Sequence, residues 1–95
     1  MSDPVLLVLA SLAAGDKHGY AIMEDIQAFA GVRLGPGTLY GAITRLAGHG
    51  WIRPLDSDDR RRPYRLTAEG RQHLREQLKG LSAVVKTGLR RLEEA

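Results

Sequence analysis

The chain has no cysteine, which excludes a disulfide scaffold, a thiolate-bound zinc and a cysteine nucleophile. That absence fits a reducing cytoplasm, the expected location. Long apolar runs are missing as well. The stretch from Val5 to Ala14 is broken by Ser11 and is too short to cross a bilayer. No basic segment precedes it, since Asp3 stands there, so neither a signal peptide nor membrane attachment is expected. The run reads instead as a helix that is apolar all round because it is buried. There is no internal repeat, low-complexity tract or linker.

Chemistry-bearing constellations are also lacking. His18, His49 and His73 fall in different elements, and no two have the spacing of metal ligands. His18 reads as a helix cap. No glycine-rich phosphate loop follows a strand, no Ser-His-Asp order suits the fold, and Asp58 and Asp59 sit on an exposed turn. No metal or cofactor is expected, and nothing in the sequence favours an enzyme.

What is present is one small domain. The chain has 95 residues, of which 43% are hydrophobic, as expected of a single globular unit over residues 1–95. A monomer of this size buries too little surface to be more than marginally stable, which favours a dimer.

Glycines divide the chain into helices. The first begins at Asp3-Pro4, a good N-cap followed by the residue best tolerated at the first helical position, and Gly15 is its expected left-handed stop. The second runs from near His18 to about Ala30, with Ile22, Ile26 and Phe29 as its buried stripe and Gly31 at its close. The third opens at Gly35-Pro36 and carries Leu39, Ile43 and Leu46 inward, ending at Gly48 and Gly50. The period then changes. Trp51–Leu55 and Arg61–Leu66 read as a two-stranded hairpin around the polar cluster Asp56-Ser57-Asp58-Asp59, with Pro54 marking an edge strand. A last helix starts after Thr67 and runs to about Glu93. Leu74, Leu78, Leu81, Val85 and Leu92 form a heptad-like seam along it. Such a helix is longer than the small core needs, so its second half should bury its apolar stripe on a partner chain.

Helix, helix, helix, hairpin, helix is the order of a winged helix-turn-helix: a mainly α fold with a small β-hairpin over residues 4–66 and a long C-terminal dimerisation helix over 67–93. In that fold the third helix enters the major groove of double-stranded DNA and the wing reaches the neighbouring backbone or minor groove. The charge agrees. Residues 1–31 hold one lysine against four carboxylates, whereas residues 32–66 hold seven arginines against three aspartates. The positive excess thus lies on the proposed recognition helix and wing.

The motifs are recognisable together. His18-Gly19-Tyr20, Gly37-Thr38-Leu39-Tyr40, Arg45-Leu46, Gly50-Trp51-Ile52 and Arg62-Pro63-Tyr64-Arg65-Leu66-Thr67 with Gly70 resemble the PadR family of bacterial transcriptional regulators over roughly residues 4–80. The resemblance implies a winged-helix homodimer acting mostly as a repressor on an inverted repeat, with small aromatic or lipophilic effectors. It also implies the short subfamily, in which the first and last helices make the dimer. One departure is Pro63, where many members have lysine. The substitution removes a cation and a strand N–H, and shifts the wing's expected contacts to Arg60, Arg61 and Arg62.

The expected DNA contacts are therefore Gly37, Thr38, Tyr40, Gly41, Thr44 and Arg45 on the third helix, Tyr20 at the start of the second, and the three wing arginines. Gly37 and Gly41 are expected to let the backbone approach closely. The expected dimer interface comprises Leu6, Leu7 and Ala10 of the first helix with Leu74, Leu78, Leu81, Val85, Leu89 and Leu92 of the last. An effector would bind at that interface beside Leu7, Ala10, Leu81 and Val85. The competing reading is a winged-helix module that binds protein instead of specific DNA.

Overall fold

The computed structural model describes residues 3–57 and 61–94. In chain order the elements are α1 (Pro4–Leu12), β1 (Lys17–His18), α2 (Gly19–Ala30), α3 (Pro36–Gly48), β2 (Ile52–Pro54), β3 (Pro63–Leu66) and α4 (Ala68–Glu94). The expected mainly helical winged-helix architecture is present.

Local chemistry sets the helix ends. The Asp3 carboxylate accepts from the Val5 amide, and Pro4 occupies the first turn of α1. The His18 imidazole caps α2 by accepting from the Ala21 amide at 3.3 Å. Gly31 closes α2 in the left-handed conformation at φ +67°, where an L side chain would be strained. The Thr67 hydroxyl accepts from the Gly70 amide at 3.0 Å and donates to the Gly50 carbonyl at 2.7 Å, so the cap of α4 is also a tie to the end of α3. Gly15 does not have the stop role expected of it. α1 ends at Leu12 with Ala13 as a right-handed cap, and Gly15 lies beyond it at φ +149°.

The four helices and the sheet enclose one aliphatic core. Val8, Leu9 and Leu12 of α1 meet Ile22 and Ile26 of α2, Leu39, Ile43 and Leu46 of α3, and Ile52 and Leu66 of the strands. Phe29 corrects the expected stripe of α2, being 51% exposed. Buried Leu34 and the partly buried Val32, from the connection to α3, fill the core at that end instead. The one buried polar side chain of the described residues, Ser11, donates to Asp25 at 2.7 Å, and Lys17 donates to the Ser11 carbonyl at 2.6 Å. That network fastens α1 to α2.

The hairpin is part of a three-stranded antiparallel sheet in the order β1-β3-β2. Sequence periodicity predicts two strands. The third, β1, is only two residues long and carries no alternation to read. It is held by pairing of Lys17 with Tyr64 and His18 with Pro63, and by the Asp16–Arg65 ion pair alongside. β2 lies at the edge, as Pro54 requires. The return strand starts at Pro63, not at Arg61. Pro63 is tolerated as a first strand residue, and its carbonyl accepts from the Leu55 amide at 2.9 Å.

The α4 helix spans 27 residues, about 40 Å at 1.5 Å per residue. It gives the molecule a long axis of 57 Å against 26 and 20 Å across. Only Gly70 and Leu74 are buried on it. Leu74, expected on the dimer seam, lies in this chain's own core at 5% exposure. Beyond it Leu78, Val85, Leu89 and Leu92 are all exposed, with Leu81 partly covered. No helix among the described residues is long and apolar enough to cross a membrane.

Candidate nucleic-acid interface

The core turns the rest of α3 outward. With Leu39, Ala42, Ile43 and Leu46 buried, 3.6 residues per turn places Tyr40 and Thr44 on one flank of the exposed arc and Thr38 and Arg45 on the other. Gly37, Gly41 and Gly48 run down the middle. A Cβ added at any of these three glycines would meet nothing within 4 Å, so packing within this chain does not require them. They leave a shallow floor between two polar flanks, open to whatever approaches from outside. Gly48, which ends α3 as the sequence reading has it, also belongs to this floor.

Two grooves border the arc. Beside the Thr38–Arg45 flank, the start of α1 contributes Asp3, Pro4 and Val5 to a groove of about 270 Å³. Beside the Tyr40 flank, a groove of about 360 Å³ is walled by Tyr20, Tyr40, Tyr64, Arg61 and Arg62, with His18 and Gly19 at its base. Tyr20 is 59% exposed and Tyr40 is 49% exposed. Three tyrosines and two arginines thus line one groove beside the N-terminus of α2, whose first amide groups are the positive end of the helix dipole. The Thr44 hydroxyl donates to the Tyr40 carbonyl at 2.9 Å, one turn back along its own helix.

The structure thus gathers Tyr20, Tyr40, Arg61 and Arg62 around one groove, and Gly37, Thr38, Gly41 and Arg45 around the other. Arg60 lies outside the described residues, as do Asp58 and Asp59. Sequence reasoning missed Tyr64 and His18 as lining residues. For Tyr64 a signal exists: it is two residues before buried Leu66 in a strand of period two, so it shares the inward face.

The arginines of residues 32–66 do not all serve this surface. Arg53 and Arg65 are directly opposed in the β2–β3 register, on the sheet face away from Tyr64. Asp16 relieves that like-charge pair. Its carboxylate accepts from Arg65 at 2.8 and 3.2 Å. Chiefly through those hydrogen bonds, and then through the charges of Arg65, Arg53 and Lys17, its pKa is held below the usual carboxylate value. One cation of the apparent excess is therefore neutralised within the fold.

A stack of rings lies at the other end of α3. The Trp51 indole sits between His49 at 4.3 Å and His73 at 3.7 Å, with interplanar angles of 13° and 11°. It joins the end of α3 to α4. No group of three or more metal-binding side chains occurs among the described residues.

The model of the PadR-like transcriptional regulator family matches residues 8–76. Over 73 residues the chain is 49% identical to an uncharacterized 37.1 kDa protein of transposon TN4556 from Streptomyces fradiae, a match covering 77% of this chain and 21% of that one. The chain thus spans about a fifth of the length of this curated relative. Among solved structures, it resembles a PadR family transcriptional regulator from Eggerthella lenta, with 31% identity, a TM-score of 0.76, and coverage of 96% of this chain and 81% of that one. It also resembles a PadR family regulator from Clostridium difficile, with 25% identity, a TM-score of 0.81, and coverage of 88% and 92%. With the family model matched over most of its length and the same fold in these regulators, the chain belongs to the PadR-like family of transcriptional regulators.

Proposed function

We propose that this regulator binds double-stranded DNA as a homodimer, lays α3 in the major groove and closes the wing on the adjacent backbone. The observation that carries the reading is the exposed arc of α3. Its glycine floor admits a close surface, and its flanks offer Thr38, Thr44 and Arg45 for base edges or phosphates. Beside it the tyrosines and wing arginines supply donors suited to phosphate oxygens.

The exposed seam of α4 supports dimerisation. Leu78, Val85, Leu89 and Leu92 need a cover that the chain's own core does not reach, and a second copy with Leu6, Leu7 and Ala10 of α1 supplies it. Two-fold symmetry then requires a near-palindromic operator with half-sites about 10 bp, or a multiple, apart. Occupancy of such a site, in the cytoplasm, represses transcription. A lipophilic or aromatic effector seated between Leu7, Ala10, Leu81 and Val85 at the dimer interface would favour one spacing of the two domains and release the DNA.

The test is fluorescence anisotropy with duplex DNA from upstream of the protein's own gene and a shuffled duplex, at low and near-physiological salt. Tighter binding to the upstream DNA that survives the higher salt is expected. Absence of binding to any duplex, including ones enriched from a random library, would favour the protein-interaction module instead.

A further inference from the structure

Resting on that DNA-binding reading, we infer that Gly19 is a positioning residue for Tyr40. Gly19 opens α2, is buried and has an ordinary helical backbone, so no left-handed conformation requires glycine there. With the backbone ordinary, the missing side chain at this position needs another cause. The cause is space. A Cβ at Gly19 would overlap the Tyr40 hydroxyl and stand 2.9 Å from Cζ and 3.3 Å from Cε1 of the same ring. All three of its nearest neighbours belong to Tyr40.

Tyr40 is on α3, 49% exposed, and its ring reaches across to the start of α2. The ring therefore lies over bare backbone instead of standing out from α3. That posture keeps the phenol in the groove beside Tyr64 and Arg62, and keeps it from blocking the glycine floor of the recognition helix. Gly19 sets the direction of a side chain on another element without itself reaching the DNA. Gly70 is a contrasting case: its added Cβ would overlap the Trp51 backbone carbonyl, which cannot swing aside. At Gly19 the obstacle is the far end of a side chain, so a methyl group there re-aims the ring and leaves the fold intact.

The experiment is a double-mutant cycle on full-length protein, using a labelled duplex enriched by the wild type from a random library. Gly19→Ala, Tyr40→Ala and the double variant are compared by anisotropy, with melting temperatures alongside. Gly19→Ala is expected to weaken binding about tenfold or more with a melting temperature close to wild type. The double variant is expected to bind as Tyr40→Ala does, because removing the ring removes the obstacle. Three results would each overturn the inference: unchanged affinity of Gly19→Ala, losses that simply add in the double variant, or global unfolding of Gly19→Ala. Failure of the wild type to enrich any duplex would count against the DNA reading alone. In that event NMR of the Tyr40 ring tests the positioning: an unmoved ring resonance in Gly19→Ala would overturn it.

Discussion

Arg65 holds the carboxylate of Asp16 with two hydrogen bonds, of 2.8 and 3.2 Å, and thereby ties the β1 edge of the sheet to its central strand. The pair makes one stretch of the acidic N-terminal third part of the wing. It also carries a pH signature. Because the folded-state pKa of Asp16 is lowered, its contribution to stability is present above the unfolded carboxylate value, about 3.9. It is lost as pH falls through the lower folded value. Asp16→Asn should melt slightly earlier than wild type at neutral pH, and the difference should shrink below about pH 4. Both groups are exposed, so the effect should be small and weakened by salt. Melting curves across pH check it.

Gly70 lies against backbone. A methyl there would overlap the Trp51 carbonyl oxygen and stand 2.8 Å from Leu66 Cδ1. Gly70→Ala should destabilise the fold by about 1–3 kcal/mol, or roughly 4–8 °C in Tm for each kcal/mol in a domain of this size. Urea unfolding followed by the fluorescence of Trp51, the chain's only tryptophan, reads this directly.

His73→Ala removes the nearer ring of the Trp51 stack. The loss should be about 0.5–1.5 kcal/mol beyond the buried area itself, with a shift in Trp51 emission as one face of the indole is uncovered. An unchanged emission spectrum would show that the stack does not persist in solution.

Leu74 and Leu89 sit fifteen residues apart on one helix and should fail differently. Leu74→Ala empties a core position, at a cost of about 2–5 kcal/mol. Leu89→Asp touches only the exposed seam, so it should leave a folded monomer whose Tm no longer depends on concentration. Sedimentation equilibrium with circular dichroism separates the two outcomes.

The same two leucines mark how far a sequence can be read. The caps at Asp3, His18 and Thr67 were legible because each needs one side chain beside one backbone amide. The inward residues of α3 were legible from their spacing alone. A heptad seam states which side of α4 is apolar but not what covers it, so Leu74 looked like Leu78. Phe29 had the right spacing at the wrong place, the last turn of α2, where Val32 and Leu34 take the core position. β1 is too short for a period. The grooves of the candidate site were partly legible: Tyr20, Tyr40 and the wing arginines could be named from the fold's order. Tyr64 could have been found from strand alternation. Gly19 could not, because its need for space is set by a ring on another helix.

A grip of α3 and the wing on DNA has to show in the salt dependence of binding. The affinity of wild type and of the Arg61→Ala/Arg62→Ala double variant for an enriched duplex should be measured across a salt series. Each phosphate left without its arginine should reduce the log–log slope by roughly 0.9, so the double variant should bind more weakly on every duplex and show a visibly shallower slope. Identical slopes and affinities for the two proteins would contradict the placement of the wing on DNA, and no salt-dependent binding by the wild type would contradict DNA binding by α3 itself.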